Sequence, residues 1–324
     1  MKAVVYHTYG SPDVLRFEEI AMPTPGDNDV LLQVRGASVN PLDWHFMRGE
    51  PYAVRLVTGL PKPKDPRLGV DVAGVVESVG RNVTRFQTGD EVFGAGKGAF
   101  AEYACAPESS LVTKPPNLTF EQAAAVPIAG ISALQGLRDA GQIQPGDRVL
   151  INGAAGGVGT FAVQIAKSFG ANVTGVCSTR NVDLVRSLGA DHVIDYTHED
   201  FTRSGQPFDL ILDCIGNHSL SAIRRALNPR GRQVPVGAQA GRWMLGPLTR
   251  SVRAMVLSKF SNRKLVPFFL AKLNHEALTT LRELLESGKV TPVIDRRYKL
   301  SETPEAIRYL EEGHARGKVV ITVG

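Results

Sequence analysis

Val149-Leu150-Ile151-Asn152-Gly153-Ala154-Ala155-Gly156-Gly157-Val158-Gly159 is the stretch on which the reading of this chain turns. An apolar run enters it after the turn signal Gln144-Pro145-Gly146, and glycines follow at 153, 156 and 159. Beyond them Val158, Phe161, Ala162, Ile165, Ala166 and Phe169 recur at helical spacing, and Gly170 supplies a stop. Ala171 to Val176 reads as a second, buried parallel strand. Strand, glycine turn, helix and strand make one βαβ unit. A glycine triplet alone would also suit a tight turn that holds no phosphate. In this context it predicts a dinucleotide cradle, with the pyrophosphate held by Gly153, Ala155, Gly156, Gly157, Val158 and Gly159 at a helix N-terminus.

The second strand runs into Cys177-Ser178-Thr179-Arg180-Asn181, at the place where such sites read the adenosine ribose. A carboxylate there would accept the 2′-hydroxyl of NAD. Ser178, Thr179 and Arg180 instead offer hydroxyls and a guanidinium, which suit a 2′-phosphate. The expected cofactor is NADPH, and the expected class is oxidoreductase.

At 324 residues the chain has room for about two domains with proper cores. It is 43% hydrophobic and 21% charged, as an ordinary globular protein is. A net charge of +5 implies no nucleic-acid partner by itself. Three cysteines, at 105, 177 and 214, are odd in number and far apart, which points to a reducing compartment. Met1-Lys2-Ala3-Val4-Val5-Tyr6 is too short an apolar start for a signal peptide, and no apolar stretch approaches the ~20 residues of a membrane span. The expected location is cytoplasmic.

Residues 1–115 read as short strands at Ala3–Tyr6, Val30–Val34, Val72–Val79, Phe100–Ala104 and Ser110–Val112, separated by turn signals. They predict a compact, mostly antiparallel, barrel-like domain. Lys114-Pro115-Pro116 marks a break, and Thr119 with Gln122 resembles a capping box that opens a helix, followed by an apolar stretch through Leu137. Strands then alternate with helices: 148–152, 172–177, 192–195, 209–214 and 232–236, the last fed by a turn at Asn228-Pro229-Arg230-Gly231. An edge strand is expected at Leu265–Leu270, and a helix at Glu276–Glu286 leads the chain back. The pattern is α/β with a Rossmann-type, doubly wound parallel sheet. The expected domains are 1–125 with 273–324, and 126–272.

This organisation resembles the medium-chain dehydrogenase/reductase superfamily nearly end to end. The resemblance is carried by Gly69-Val70-Asp71-Val72-Ala73-Gly74-Val75-Val76, Gly89-Asp90-Glu91-Val92, the 153–159 turn, Leu188-Gly189-Ala190-Asp191-His192-Val193-Ile194 and Gly317-Lys318-Val319-Val320. It implies a GroES-like substrate domain beside the Rossmann domain. Asn40 stands where the catalytic-zinc cysteine of alcohol dehydrogenases of this type would be, and Val70 where its histidine would be. The Gly94–Cys105 region has one cysteine where a structural zinc lobe needs four. No metal is expected. The group resembled is therefore the zinc-independent quinone oxidoreductase-like reductases, which use NADPH on quinones or α,β-unsaturated carbonyls (enones, alkenals).

The resemblance also nominates side chains. Asn40 becomes a candidate catalytic donor to a substrate oxygen, against a loop-capping asparagine before Pro41. His45 and Tyr52 lie with Trp44 where related reductases line the pocket with aromatics, and either could donate a proton or hydrogen bond. Asp71 is expected only to order local backbone. Pro127 and Ser132 fall where the family's chain runs past the nicotinamide. Cys214, Gly216 and Gly237 end successive strands, where open α/β sheets bind ligands. Tyr196 would stand near the ribose phosphate, and Lys318 is expected to reach the cofactor phosphates or simply face solvent.

Between Ala240 and His275 there are seven Lys or Arg and no acid, with Leu248, Val252, Met255 and Val256 on one helical face and Trp243, Met244 and Phe260 flanking. A lid over the pocket, a dimer contact and a basic patch touching membrane all fit this segment. The expected protein is a homodimeric reductase of small quinones, enones or alkenals. Its rivals are a zinc-free carbonyl or alcohol dehydrogenase and a non-catalytic NADPH-binding scaffold or nucleic-acid-binding protein. Against the last, no aromatic-basic interleaving marks a nucleic-acid site.

Overall fold

A computed structural model describes residues 1–236, 245–259, 262–267 and 269–324. Gly237, Trp243, Met244 and Phe260 lie outside the described residues. The chain divides into two compact units: Met1–Ala129 with Leu273–Gly288 and Pro292–Gly324, and Gly130–Lys272 with Lys289–Thr291.

The second unit is built on six parallel strands among the described residues. Their order is His192–Asp195, Asn172–Cys177, Arg148–Asn152, Phe208–Asp213, Leu227–Pro235, Lys264–Leu265. The chain starts in the middle and winds outward both ways, as a doubly wound sheet requires. The helix Gly157–Ser168 is buried at every position from Gly159 to Ala166, which is why its sequence is apolar nearly all round. Its one buried amide, Gln164, is satisfied by accepting from the Thr291 N–H at 2.8 Å and donating to the Thr291 carbonyl at 3.0 Å. Asn228-Pro229-Arg230-Gly231 is not a turn before the strand. The strand Leu227–Pro235 runs through it with a break in register between Phe208 and Leu210 on its partner. At the edge, pairing is confined to Lys264 and Leu265, shorter than expected.

In the first unit a seven-stranded sheet runs Ile294–Lys299, Lys318–Thr322, Asp29–Val39, Asp71–Val79, Glu91–Ala95, Leu111–Thr113, with Tyr103–Pro107 pairing on Asp29–Val39. Lys2–Tyr6 and Leu15–Glu19 form a separate antiparallel pair. The expected strand at Phe100–Ala104 begins later, at Tyr103, because Phe100 is spent as a fully buried core side chain in the approach to it. The helix opened by Thr119 is short. Its capping box forms, with Thr119 Oγ1 accepting from the Gln122 N–H at 3.2 Å, but the helix ends at Ala124 and a second begins at Pro127. Pro127 has no N–H to give a preceding turn, so it starts a helix instead of continuing one.

The register of three adjacent strands decides what meets inside this unit. Ser38 lies opposite both Asp71 and Val320, and Val39 lies opposite Val319. Asn40 and Lys318 therefore follow as neighbours at the strand ends, beside Asp71.

Candidate functional site

In the second unit, Arg148–Asn152 delivers the chain into the glycine turn. Gly153 takes φ +87°, a left-handed conformation that side chains resist, and a Cβ there would also meet Ile215 Cδ1 at 2.8 Å. Gly159 is required for packing, because a Cβ on it would stand 2.1 Å from the Gly153 carbonyl oxygen. Gly156 is different. Its φ of −82° suits any residue, and a Cβ on it would meet only the Gly153 oxygen at 3.5 Å. Neither backbone nor packing explains a glycine here. The residue N-caps the helix Gly157–Ser168 without any side-chain cap, so the first helical N–H groups, at Gly157, Val158 and Gly159, have no partner within the helix. A bare Gly156 beside open N–H groups leaves room for an anion to come in close.

Ser178, Thr179, Arg180 and Tyr196 gather at the ends of two neighbouring strands. Asp195 pairs with Cys177, and the Tyr196 N–H donates to the Cys177 carbonyl at 3.0 Å. Arg180 and Tyr196 are exposed, the latter at 60%. A carboxylate that sequence reasoning passed over, Asp195, also sits here. The Thr179 hydroxyl, above all, holds its pKa below the usual range, and Thr197 Oγ1 donates to it at 2.7 Å.

The turn is braced from the neighbouring strand. Asp213, fully buried, accepts from Asn152 Nδ2 at 2.8 Å and from the Gly216 N–H at 2.8 Å. This fixes the Cys214-Ile215-Gly216 corner whose Ile215 packs on Gly153. An aspartate closing the apolar run Leu210-Ile211-Leu212 was the available signal, and it went unused. Cys214 and Cys177 are thiols pushed up in pKa by burial, Cys177 to about 11, so neither is a thiolate at neutral pH.

In the first unit a buried polar cluster occupies the strand ends. Asp71 is its hub. One oxygen accepts from Ser38 Oγ at 2.7 Å, Asn40 Nδ2 at 2.8 Å and Lys318 Nζ at 3.4 Å. Its other oxygen accepts from the Ile128 N–H at 2.9 Å, which anchors the helix begun by Pro127. Asp71 thus does far more than order local backbone.

Asn40, the leading donor candidate, is only 2% exposed, and its amide is already committed. Nδ2 donates to Asp71 and, at 3.3 Å, to the Ser38 carbonyl, while Oδ1 accepts from Lys318 Nζ at 2.5 Å. No N–H is left for a substrate, so Asn40 is a positioning residue. Lys318 is likewise turned inward, 3% exposed, and its ammonium is held by Asn40 and Asp71 instead of projecting toward cofactor phosphate or solvent. Burial lowers its pKa, against the pull of the Asp71 charge.

Asp43, which carries no local signature in the sequence, completes the cluster. One oxygen accepts from the Asn40 N–H at 2.7 Å and so caps the helix Pro41–Arg48; the other is buried without a hydrogen-bond partner. Burial drives its pKa up to about 7, with the Asn40 N–H pulling the other way.

His45 does not offer an acidic proton. Its Nδ1 lies 2.7 Å from the Glu50 carbonyl oxygen, which can only accept, so Nδ1 carries the hydrogen. Burial lowers the ring's pKa, which leaves it neutral at pH 7 with a lone pair on Nε2. It stacks on Trp44 with ring centroids 3.7 Å apart. Tyr52 is half-buried, with the Arg55 guanidinium over its ring, 4.9 Å from the centroid. Pro127 is buried and Ser132 half-buried on the same helix. Among the described residues no three His, Cys, Asp or Glu side chains converge as a metal site would need.

Comparison with known proteins bears on this arrangement. Residues 26–116 match the alcohol dehydrogenase GroES-like domain family, and residues 188–321 match a family described as zinc-binding dehydrogenase. The quinone-oxidoreductase QR1, chloroplastic, of Triphysaria versicolor is 34% identical over 337 residues, covering 99% of this chain and 98% of its own. An NADPH-dependent alkenal/one oxidoreductase, chloroplastic, of Arabidopsis thaliana is 35% identical over 338 residues, covering 99% of this chain and 79% of its own. A solved quinone oxidoreductase from Coxiella burnetii superposes with TM-score 0.87 at 32% identity, covering 100% of this chain and 99% of that one.

Proposed function

Because this chain belongs to the quinone oxidoreductase-like branch of the medium-chain dehydrogenase/reductase superfamily, we propose that it reduces quinones or activated alkenes with a nicotinamide cofactor, specifically NADPH, and without zinc. The observation that carries the cofactor is Gly156, a glycine unexplained by backbone or packing beside the open N-terminus of Gly157–Ser168.

When bound, NADPH supplies the hydride. The protein's own part begins with the N–H groups of Gly157, Val158 and Gly159, which with the helix dipole hold the pyrophosphate. Ser178, Thr179 and Arg180 hold the ribose phosphate, and Arg180 supplies the charge that separates NADPH from NADH. Asp195 accepts from the Thr197 hydroxyl beside them. In the other unit Asp71, Lys318 and Asn40 pin the start of Pro41–Arg48. The segment carrying His45 and Tyr52 is thereby set on rigid structure.

Asn40 and Val70 replace the ligands a catalytic zinc would use, so an isolated ketone or alcohol oxygen meets no Lewis acid. A conjugated acceptor needs less help. Hydride added at the β-carbon, or to a quinone, moves the electron pair onto a remote oxygen, and a proton from solvent or a weak donor completes the reduction. With Asn40 committed and His45 lacking an Nε2 hydrogen, neither of them supplies that donor. Unpaired thiols at 105, 177 and 214 suit the reducing, cytoplasmic setting we infer.

The test follows NADPH loss at 340 nm by chelator-treated protein offered a benzoquinone, a 2-alkenal, an enone and a simple ketone. Rapid loss with the quinone or the conjugated carbonyls and little with the ketone is expected. Tight NADPH binding with no turnover of any of the four overturns the proposal in favour of a scaffold.

A further inference from the structure

Charge is distributed unevenly along this chain. From Cys214 to His275 there are eleven Lys or Arg and no Asp or Glu, whereas the rest carries 26 Lys or Arg against 32 Asp or Glu. Part of this basic stretch surrounds a hollow of about 430 Å³ lined by Ser221, Arg224, Arg225, Leu257 and Arg263. Three guanidiniums and a hydroxyl in one concavity, with no carboxylate anywhere in the same stretch of sequence, suit a phosphate group.

The adjoining helix adds an apolar face. On Leu245–Lys259, Ala254 is buried, Ser251 Oγ donates to the Pro267 carbonyl and Ser258 Oγ donates to the Leu265 carbonyl, so that side faces the protein. The opposite side shows Val252, Met255 and Val256, at i, i+3 and i+4, each about half exposed at 48, 50 and 50%. Leu257, next in sequence, already lines the arginine hollow. The helix that carries the apolar ridge thus also contributes a wall of the basic hollow.

Of the surfaces that could cover such a face, one satisfies both halves. A second copy in a two-fold contact would bring these arginines against their own copies. A nucleic acid would meet the arginines but leave the aliphatic ridge against phosphates, and among the described residues no aromatic ring lines the hollow for a base to stack on. An anionic phospholipid bilayer offers phosphates to the hollow and an acyl boundary to the ridge. No helix among the described residues is long and apolar enough to cross a membrane, so such contact is peripheral.

We propose that the face formed by Arg224, Arg225, Arg263, Val252, Met255 and Val256 docks this protein reversibly on anionic phospholipid bilayers, with a lipid phosphate in the arginine hollow. The homodimer expected from the sequence then uses another face.

The test is co-sedimentation of the full chain with vesicles of equal parts phosphatidylglycerol and phosphatidylcholine, compared with phosphatidylcholine alone. Expected is pelleting with the anionic vesicles only, lost in 0.5 M salt. Arg224→Gln with Arg225→Gln should lower the partition about twenty-fivefold, at about fivefold per charge removed. Val252→Ser with Met255→Ser should weaken it separately, and both variants should keep the parent rate of NADPH oxidation. No pelleting at low salt overturns the proposal, as does pelleting that neither variant changes. Three other results also overturn it: millimolar glycerol phosphate displacing the protein from vesicles, which makes free phosphate the ligand; dissociation of a dimer by the apolar variant without pelleting of the parent; and duplex DNA binding, lost in the arginine variant, without pelleting.

Discussion

Lys318 Nζ lies 2.5 Å from Asn40 Oδ1, although 278 residues separate them in sequence, and both side chains are almost wholly buried. The ammonium neutralises Asp71 in a place where water cannot. Removing one partner of such a pair costs more than the pair itself contributes, because the other charge is left desolvated.

Lys318→Met should therefore destabilise the protein by about 3–5 kcal/mol. Neutralising Asp71 as well, in Asp71→Asn/Lys318→Met, should recover part of that loss, since no orphan charge remains. Urea unfolding of the two single variants and the double variant measures this. A double variant as unstable as the sum of the singles would show that the two groups do not interact.

This cluster also marks where sequence reading ran out. The glycine turn and its flanking strands were legible because their signals are local: an apolar run, three glycines and a helical period within about twenty residues. Elsewhere local signals misled: the strand Leu227–Pro235 ran straight through an Asn-Pro-Arg-Gly signal. The polar cluster has no local signature. Asn40, Asp71 and Lys318 meet only because three strands far apart in sequence pair in one register. Position relative to a zinc ligand made Asn40 look like a donor, and only its partners show that its hydrogens are spent.

Asp43 gives the cluster a pH dependence of definite sign. Burial raises its folded pKa to about 7, whereas an unfolded aspartate titrates near 4. The folded state then holds a proton that the unfolded chain has released, and stability falls as pH rises between those values, by about 1.4 kcal/mol per unit. Asp43→Asn keeps an oxygen for the Asn40 N–H and removes the titration. On going from pH 5 to pH 8 the wild type should lose about 2–3 kcal/mol more than this variant. Parallel pH profiles for the two proteins would place the ionisation elsewhere.

Arg180 is the one cation among the residues assigned to the ribose phosphate, and it stands at the exposed end of Asn172–Cys177. A charged hydrogen bond is worth about 1.5–3 kcal/mol, so Arg180→Glu should raise the Kd for NADPH about tenfold to a hundredfold. NADH has no phosphate at that position and should bind nearly as before. Fluorescence titration with both cofactors decides it; equal weakening would mean that Arg180 supports the fold and not the phosphate.

Gly156 and Gly159 lie one helical turn apart and make opposite predictions. A methyl at Gly159 would stand 2.1 Å from the Gly153 oxygen, so Gly159→Ala forces backbone apart and should lower thermal stability. A methyl at Gly156 meets nothing closer than 3.5 Å, on a backbone that alanine adopts freely, so Gly156→Ala should melt as the parent does. Yet that methyl fills the space in front of the open N–H groups of Gly157–Ser168, where the phosphates must approach. Gly156→Ala should weaken NADPH binding at least about tenfold, the cost of losing roughly one good phosphate contact. Calorimetric melting without cofactor, set beside titration with it, separates the two cases. If Gly156→Ala binds NADPH as tightly as the parent, the glycine turn does not hold the pyrophosphate, and the cofactor reading of this site fails with it.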